Sequence, residues 1–292
     1  MDGYENAAAL LKHDVSETVS AWPAHGIRRD DWRTLLGREI NGMLKRLDLA
    51  IHLAWSDTRA RYRRSVLGPF WLVLGTLIGV GGLGFVWGAL FDVQRDIFIP
   101  TLSIGLVSWY LLSACFVEAA SVFYMNRDLL LNIPVSSLFV STLLLFRQLI
   151  NFAHNFVVVV IVLAIYPQHL SFAAIWMLPG LVLVGLNLLC IIQLVGYIGA
   201  RYRDLAPLIA AIMQPLFFIT PVLFLPSQLG ARAFITEFNP FTYWLSLIRD
   251  PLMGVVPPAT TWLIVIAMTI AGWSLALILT ALKRQRLAYW VN

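Results

Sequence analysis

The sequence predicts an all-α integral membrane protein. It should have six transmembrane helices, an N-terminal amphipathic interfacial helix, and short re-entrant helices on the outer side between spans five and six. Three observations carry this. Hydrophobic residues make up 59% of the 292 residues and charged residues only 13%. With a mean hydropathy of +0.77, that lies outside soluble globular composition. Six apolar runs reach the roughly 20 residues that a helix needs to cross a hydrocarbon core about 30 Å thick. The 21 Lys and Arg residues are also shared unevenly between the connections.

Residues 1–30 contain Asp2, Glu5, Lys12, Asp14 and Glu17 and no apolar core. They read as a weakly ordered cytoplasmic segment and not as a cleaved signal peptide. Residues 31–64 follow as an amphipathic helix and a basic segment. From Trp32 to Trp55 the apolar residues Leu36, Ile40, Met43, Leu47, Ile51 and Ala54 recur at helical spacing, with Arg33, Arg38, Lys45 and Arg46 largely between them. Asp30 or Asp31 could cap its start, and its basic face suits an anionic leaflet. The segment closes on "RARYRRSVLGPFW", four arginines in six residues, which marks a membrane boundary.

The six-span domain covers 65–282, and 283–292 form a cytoplasmic tail. The runs are Pro69 to Phe91, about Ile97 to Tyr124, Ser137 to Tyr166, Phe172 to Ala200, Ala206 to Leu225, and Thr260 to Leu282. Seventeen of the Lys and Arg residues fall before the first run, in the second-to-third and fourth-to-fifth connections, and after the sixth. Cytoplasmic cation enrichment then puts both termini inside, which an even number of spans requires. Cys115 and Cys190 both lie in apolar runs and read as small buried hydrophobes.

Polar residues inside the runs are costly in hydrocarbon unless they face protein or water. Arg147, Asn151, His154 and Asn155 share one face of the third run, and Glu118 lies near the inner end of the second. They form either a hydrogen-bonded bundle core or a hydrated path. Their single carboxylate, arginine and histidine make a poor proton relay, which argues against an ion-driven transporter. Residues 220–258 are too apolar for a solvated loop, and six prolines cut them into pieces too short to span. They read as a lid over an outer exit, with Asn239, Pro240, Trp244 and Arg249 as its marked residues.

Signals for catalysis are missing. "GREINGM" has the glycines of a phosphate-binding loop but ends in Met43 where that loop needs lysine. No zinc-spaced His and Cys cluster or exposed carboxylate pair accompanies it. The chain reads as a conduit without its own cofactor, powered from elsewhere, with no nucleic acid as partner.

The motifs "RYRRSVLGPFWLVL", "NIPVSS", "LLLFRQLINFAHN", "RYRDLAPLIAAIMQPLFFITPVLF", "NPFTYWLSLIRDPLMG" and the terminal "AYWV" resemble the ABC-2 permeases that export polysaccharides. The resemblance covers about residues 57–292. It is most like the membrane subunit of O-antigen or lipopolysaccharide exporters, with capsule and teichoic acid exporters as relatives. It implies a homodimer in the bacterial inner membrane with two copies of a separate ATPase, which would carry ATP and Mg. The ATPase would dock on the interface helix and on the connection with Asn126, Arg127 and Asp128. The implied substrate is a glycan linked to undecaprenyl pyrophosphate. Arg59, Arg61, Arg63 and Arg64 would then capture the pyrophosphate, since arginine forks bind phosphate oxygens well. Trp71, Tyr110, Phe152 and Phe218 are the aromatic residues expected to line the sugar path. A permease for small hydrophobic drugs, and a receptor or scaffold, are the rival classes.

Overall fold

The computed structural model describes residues 32–63, 65, 68, 70–90, 94–226, 228, 230 and 234–291. The expected weakly ordered stretch 1–30, its Asp30 or Asp31 cap and Arg64 lie outside these residues. The described residues are almost entirely helical and contain no strand.

The amphipathic stretch forms two helices in place of the single one expected, α1 (Trp32–Leu44) and α2 (Leu47–Tyr62). They part at Arg46, whose backbone leaves the helical region while its guanidinium donates to the carbonyl of Pro134 at 2.7 Å. Ala50 and Ala54 are fully buried, whereas Ile51 and Trp55 stay half exposed. The small residues let α2 lie close along a later helix, α7 (Ser137–Ile165).

Among the described residues, five helical segments are long and apolar enough to cross a membrane. The first is α3 (Phe70–Leu90), which packs on α4 (Arg95–Ala119) and α7. Helix α4 stops five residues short of the Tyr124 expected from hydropathy. The chain turns at Ala120 and Ser121 and continues as two short pieces, α5 (Val122–Met125) and α6 (Arg127–Asn132). Helix α7 starts where the "IPVSS" motif predicts, with the Ser136 hydroxyl accepting the Phe139 N–H at 3.0 Å. Two short 3-10 turns lead into α8 (Met177–Arg201).

The fifth apolar run differs most from expectation. It yields α9 (Leu205–Ile219), 15 residues long, or about 22 Å at 1.5 Å per residue, which is too short to span alone. The cause can be read locally: Pro221 disfavours a helical conformation for the residue before it, and Thr220 is extended, with ψ 139°. The next residues fold into the bundle. Thr220 and Val222 are fully buried, and the Val222 carbonyl lies 2.5 Å from where a Cβ on Gly105 would sit. Only glycine admits that approach.

After α10 (Phe234–Glu237) comes α11 (Pro240–Leu252), then α12 (Ala259–Val291). At 33 residues, α12 continues unbroken through the "KRQR" basic cluster, past the Leu282 expected from hydropathy. The centre of the molecule is α4 and α8. Helix α11 lies against both, and Gly180 of α8 admits the Leu247 carbonyl of α11. By contrast α3, α9 and α12 present apolar side chains outward, among them Phe85, Phe218 and Leu282.

Candidate functional site

A cavity of about 500 Å³ opens between α3, α4 and α7 beside the end of α2. Each helix supplies one stripe at helical spacing. Gln148, Asn151, Phe152 and Asn155 come from α7; Tyr110, Ala114 and Glu118 from α4; Trp71 and Thr76 from α3; and Arg61 from α2. Seven of the residues marked from sequence therefore meet in one place: Arg61, Trp71, Tyr110, Glu118, Asn151, Phe152 and Asn155.

The wall of amides is only partly satisfied. Thr76 donates to Asn155 Oδ1 at 2.5 Å, Asn155 donates to the Asn151 carbonyl at 3.0 Å, and Asn151 donates to Gln148 Oε1 at 3.2 Å. The chain ends there, because Gln148 is 3% exposed and its Nε2 has no partner among the described residues. Burying such a donor is costly unless something fills the cavity and accepts from it.

Arg147 lies just behind this wall. It donates to Asp57 Oδ2 at 2.8 Å and stands 4.0 Å from Glu118, so α2, α7 and α4 meet on one guanidinium. Asp57 was not singled out from sequence, although it falls on the same helical face as Ala50 and Ala54. His154 turns away from the cavity: its Nδ1 is 2.7 Å from the Ile150 carbonyl, and its ring stacks on Trp55. The polar face of α7 is thus split, with Arg147 and His154 toward α2 and Asn151 and Asn155 toward the cavity.

The other marked residues lie elsewhere. Phe218 is exposed on α9, edge-on to Phe217. Arg59 and Arg63 are exposed and do not line the cavity. Asn126 separates α5 from α6 and donates to the Val122 carbonyl at 2.7 Å. Arg127 and Asp128 are exposed and 3.6 Å apart.

The segment after Thr220 is stitched together by its polar residues. Asn239 caps α11 through the Phe241 N–H and donates to Thr220 Oγ1 at 2.9 Å, with Pro240 in the first turn. Arg249, almost fully buried, donates to the Pro221 carbonyl at 2.7 Å. Trp244 packs on Phe241 and Phe116. Phe241 and Phe116 are themselves 5.1 Å apart, deep along α4, while the far end of α11 brings Met253 to Thr101 near the start of α4. Helix α11 therefore runs antiparallel to α4 inside the bundle.

A second polar cluster centres on Glu39, which was not singled out from sequence. Glu39 of α1, only 6% exposed, accepts from the Ser137 hydroxyl at 2.8 Å and the Leu138 N–H at 3.2 Å, at the start of α7. Its other oxygen receives Arg284 of α12 at 2.5 Å, and Arg284 also reaches the Val135 carbonyl. Gln193 of α8 joins Ser137, Ser141 and Thr280. Glu39 belongs to the "GREINGM" stretch and falls on its apolar stripe between Leu36 and Met43. Among the described residues, no group of three His, Cys, Asp or Glu side chains converges as metal ligands would.

Residues 49–253 match the model of the ABC-2 type transporter family, which is well over half of the chain. Among curated proteins, the O-antigen export system permease protein RfbA of Myxococcus xanthus is 27% identical over 200 residues, 66% of this chain and 75% of that one. A permease of the same name from Klebsiella pneumoniae is 22% identical over 217 residues, 71% of this chain and 81% of that one. The chain belongs to the ABC-2 type transporter family and is a multi-pass membrane transport subunit.

Proposed function

We propose that this chain is the permease subunit of an exporter that moves a lipid-linked, O-antigen-like polysaccharide across the bacterial inner membrane. Two copies act with two copies of a separate ATP-binding cassette ATPase, which carries ATP and Mg, and the permease itself performs no catalysis. Both termini are cytoplasmic. The fifth crossing is completed by α9 together with the buried turn after it. The outward apolar faces of α3 and α9, with side chains such as Phe85 and Phe218 exposed among the described residues, are open to the second copy as well as to lipid.

The observation that carries this reading is the cavity between α3, α4 and α7. It combines an arginine, a carboxylate, three amides and three aromatic rings. Planar amides and carboxylates match vicinal hydroxyls, and aromatic faces accept the C–H faces of sugar rings. Arg61 at its rim suits the pyrophosphate of an undecaprenyl-linked glycan. Arg59, Arg63 and Arg64 then attract the headgroup through the field they share with it. Asn126, Arg127 and Asp128 meet the ATPase, and α11, re-entering from the outer side with Asn239, Pro240, Trp244 and Arg249 reaching deep along α4, plugs the outward path. A capsule or teichoic acid chain would use the same features. A small hydrophobic drug would not need the amides.

The test is ATP turnover by the complex, co-purified with whichever ATPase this chain retains, in lipid, with and without the host's pyrophosphate-linked glycan. Glycan-stimulated turnover is expected, together with loss of surface glycan on deletion. Failure to retain an ATPase, or turnover that ignores the glycan, would overturn the proposal.

A further inference from the structure

A second cavity, of about 320 Å³, lies between the end of α8 and the last third of α12. Arg201 of α8 and Lys283 and Arg286 of α12 line it, and among the described residues no Asp or Glu does. The convergence follows from helical spacing: Leu279, Lys283, Arg286 and Trp290 form one stripe of α12, facing Ile198, Arg201 and Tyr202 on α8.

Lys283 is half-buried while Arg201 and Arg286 are exposed, and all three differ from the buried and half-buried arginines of the molecule. Arg147 has Asp57, Arg249 has Asp250 and Arg284 has Glu39. Among the described residues, none of Arg201, Lys283 and Arg286 makes an ion pair. Arg201 is instead braced by rings, its guanidinium carbon 5.9 Å from both the Tyr202 and Trp290 centroids. That contact uses the ring faces and leaves the N–H donors free. If these charges served only to orient the chain in the membrane, they would have no reason to converge on a cavity.

The apolar part of the lining points to the ligand. Ile198 and Leu279 continue into the outward-facing Leu275, Ile278 and Leu282. The charged mouth thus stands at the foot of a wall suited to acyl chains. We propose that this cavity binds the phosphate of an anionic phospholipid, with its chains along α8 and α12. Basic pockets between transmembrane helices at this boundary hold such headgroups. The site is separate from the cavity between α3, α4 and α7 and stands whether or not the exported substrate is a glycan. It adjoins the Glu39 cluster, because Tyr197 lines it and its hydroxyl lies 3.0 Å from Ser137 Oγ.

The experiment uses the full chain, purified in detergent and stripped of lipid. It is then mixed with cardiolipin, phosphatidylglycerol or phosphatidylcholine, and bound lipid is counted by native mass spectrometry. The two anionic lipids should be retained over phosphatidylcholine. In the Lys283→Gln, Arg286→Gln double variant their affinity should fall about 25-fold, at roughly fivefold per cation. Leu279→Trp fills the cavity and keeps every charge, so it should lose the anionic lipids too, whereas a purely orienting role for the charges would leave binding intact. Equal retention by wild-type chain and both variants would overturn the proposal. Displacement of the lipids by inorganic pyrophosphate at equal concentration would also overturn it, in favour of a soluble phosphate ligand.

Discussion

Glu39 and Glu118 both sit where long helices converge beside an arginine, yet their surroundings are opposite. Glu39 is closed in: a hydroxyl, a backbone N–H and Arg284 take its oxygens, and the start of α7 adds a favourable dipole. Glu118 stands on the rim of a cavity. Arg147 reaches it only at 4.0 Å, after satisfying Asp57 at 2.8 Å, and Gln148 nearby has a free donor. A saturated cluster has no capacity left for a ligand, so it joins helices. An unsaturated one in the same membrane protein is where a polar ligand would bind.

This contrast can be broken most directly at Glu39. Glu39→Ala leaves Arg284 largely buried without its carboxylate and strips the start of α7, so stability should fall by about 3 kcal/mol. Thermal unfolding in detergent measures this, and a Glu39→Gln, Arg284→Met double variant should recover part of it. If Glu39→Ala unfolded like the wild type, the cluster would not be the structural element described here. The same change should leave glycan affinity of the surviving folded fraction unaltered.

Arg147→Met is the next step. It orphans Asp57 and Glu118, but both carboxylates retain solvent, with side chains 32% and 39% exposed. The loss should be about 1 kcal/mol, with a clear fall in glycan-stimulated ATP turnover. A larger stability loss than for Glu39→Ala would reverse the assignment of the two clusters.

The arginines of the basic segment sharpen the comparison at the cavity itself. Arg61 lines it and Arg63 does not. Arg61→Gln should lower export about tenfold, the effect of losing roughly 1.4 kcal/mol from a charge-assisted phosphate contact. Arg63→Gln should stay within about twofold, the limit expected when only a screened surface charge is lost. Equal effects on surface glycan would mean that the segment acts by its summed charge alone.

What the sequence made legible follows from the range of the forces involved. Helices α3, α4, α7, α8 and α12 are set by unbroken apolar length, a local property, and so their existence and order were readable, although α4 ends before the expected Tyr124 and α12 runs on past Leu282 to Val291. The early end of α9 was readable too, in the Thr220–Pro221 step, but the apolar run beyond it concealed the break. The cavity stripe on α7 was visible because Asn151 and Asn155 are polar residues in a hydrocarbon span. Asp57 and Glu39 were not recovered, since their partners lie 90 and 98 residues away. Each did leave one trace: an acid on the apolar stripe of an amphipathic helix, where solvent alone would not hold it.

The smallest effect separates an aromatic wall from an apolar one. Phe152 lines the cavity, is almost buried, and packs on Phe156 with centroids 5.5 Å apart. Phe152→Leu keeps most of the apolar volume and removes the ring face, so stability should change by less than about 1.5 kcal/mol. If sugars slide over that face, the glycan concentration giving half-maximal ATP stimulation should rise about threefold, within the range of one aromatic contact. Phe172→Leu, at a site 92% exposed that does not line the cavity, should leave it unchanged. A drug-type substrate would make leucine as good a wall as phenylalanine, so an unshifted Phe152→Leu curve would count against the glycan and for the hydrophobic alternative.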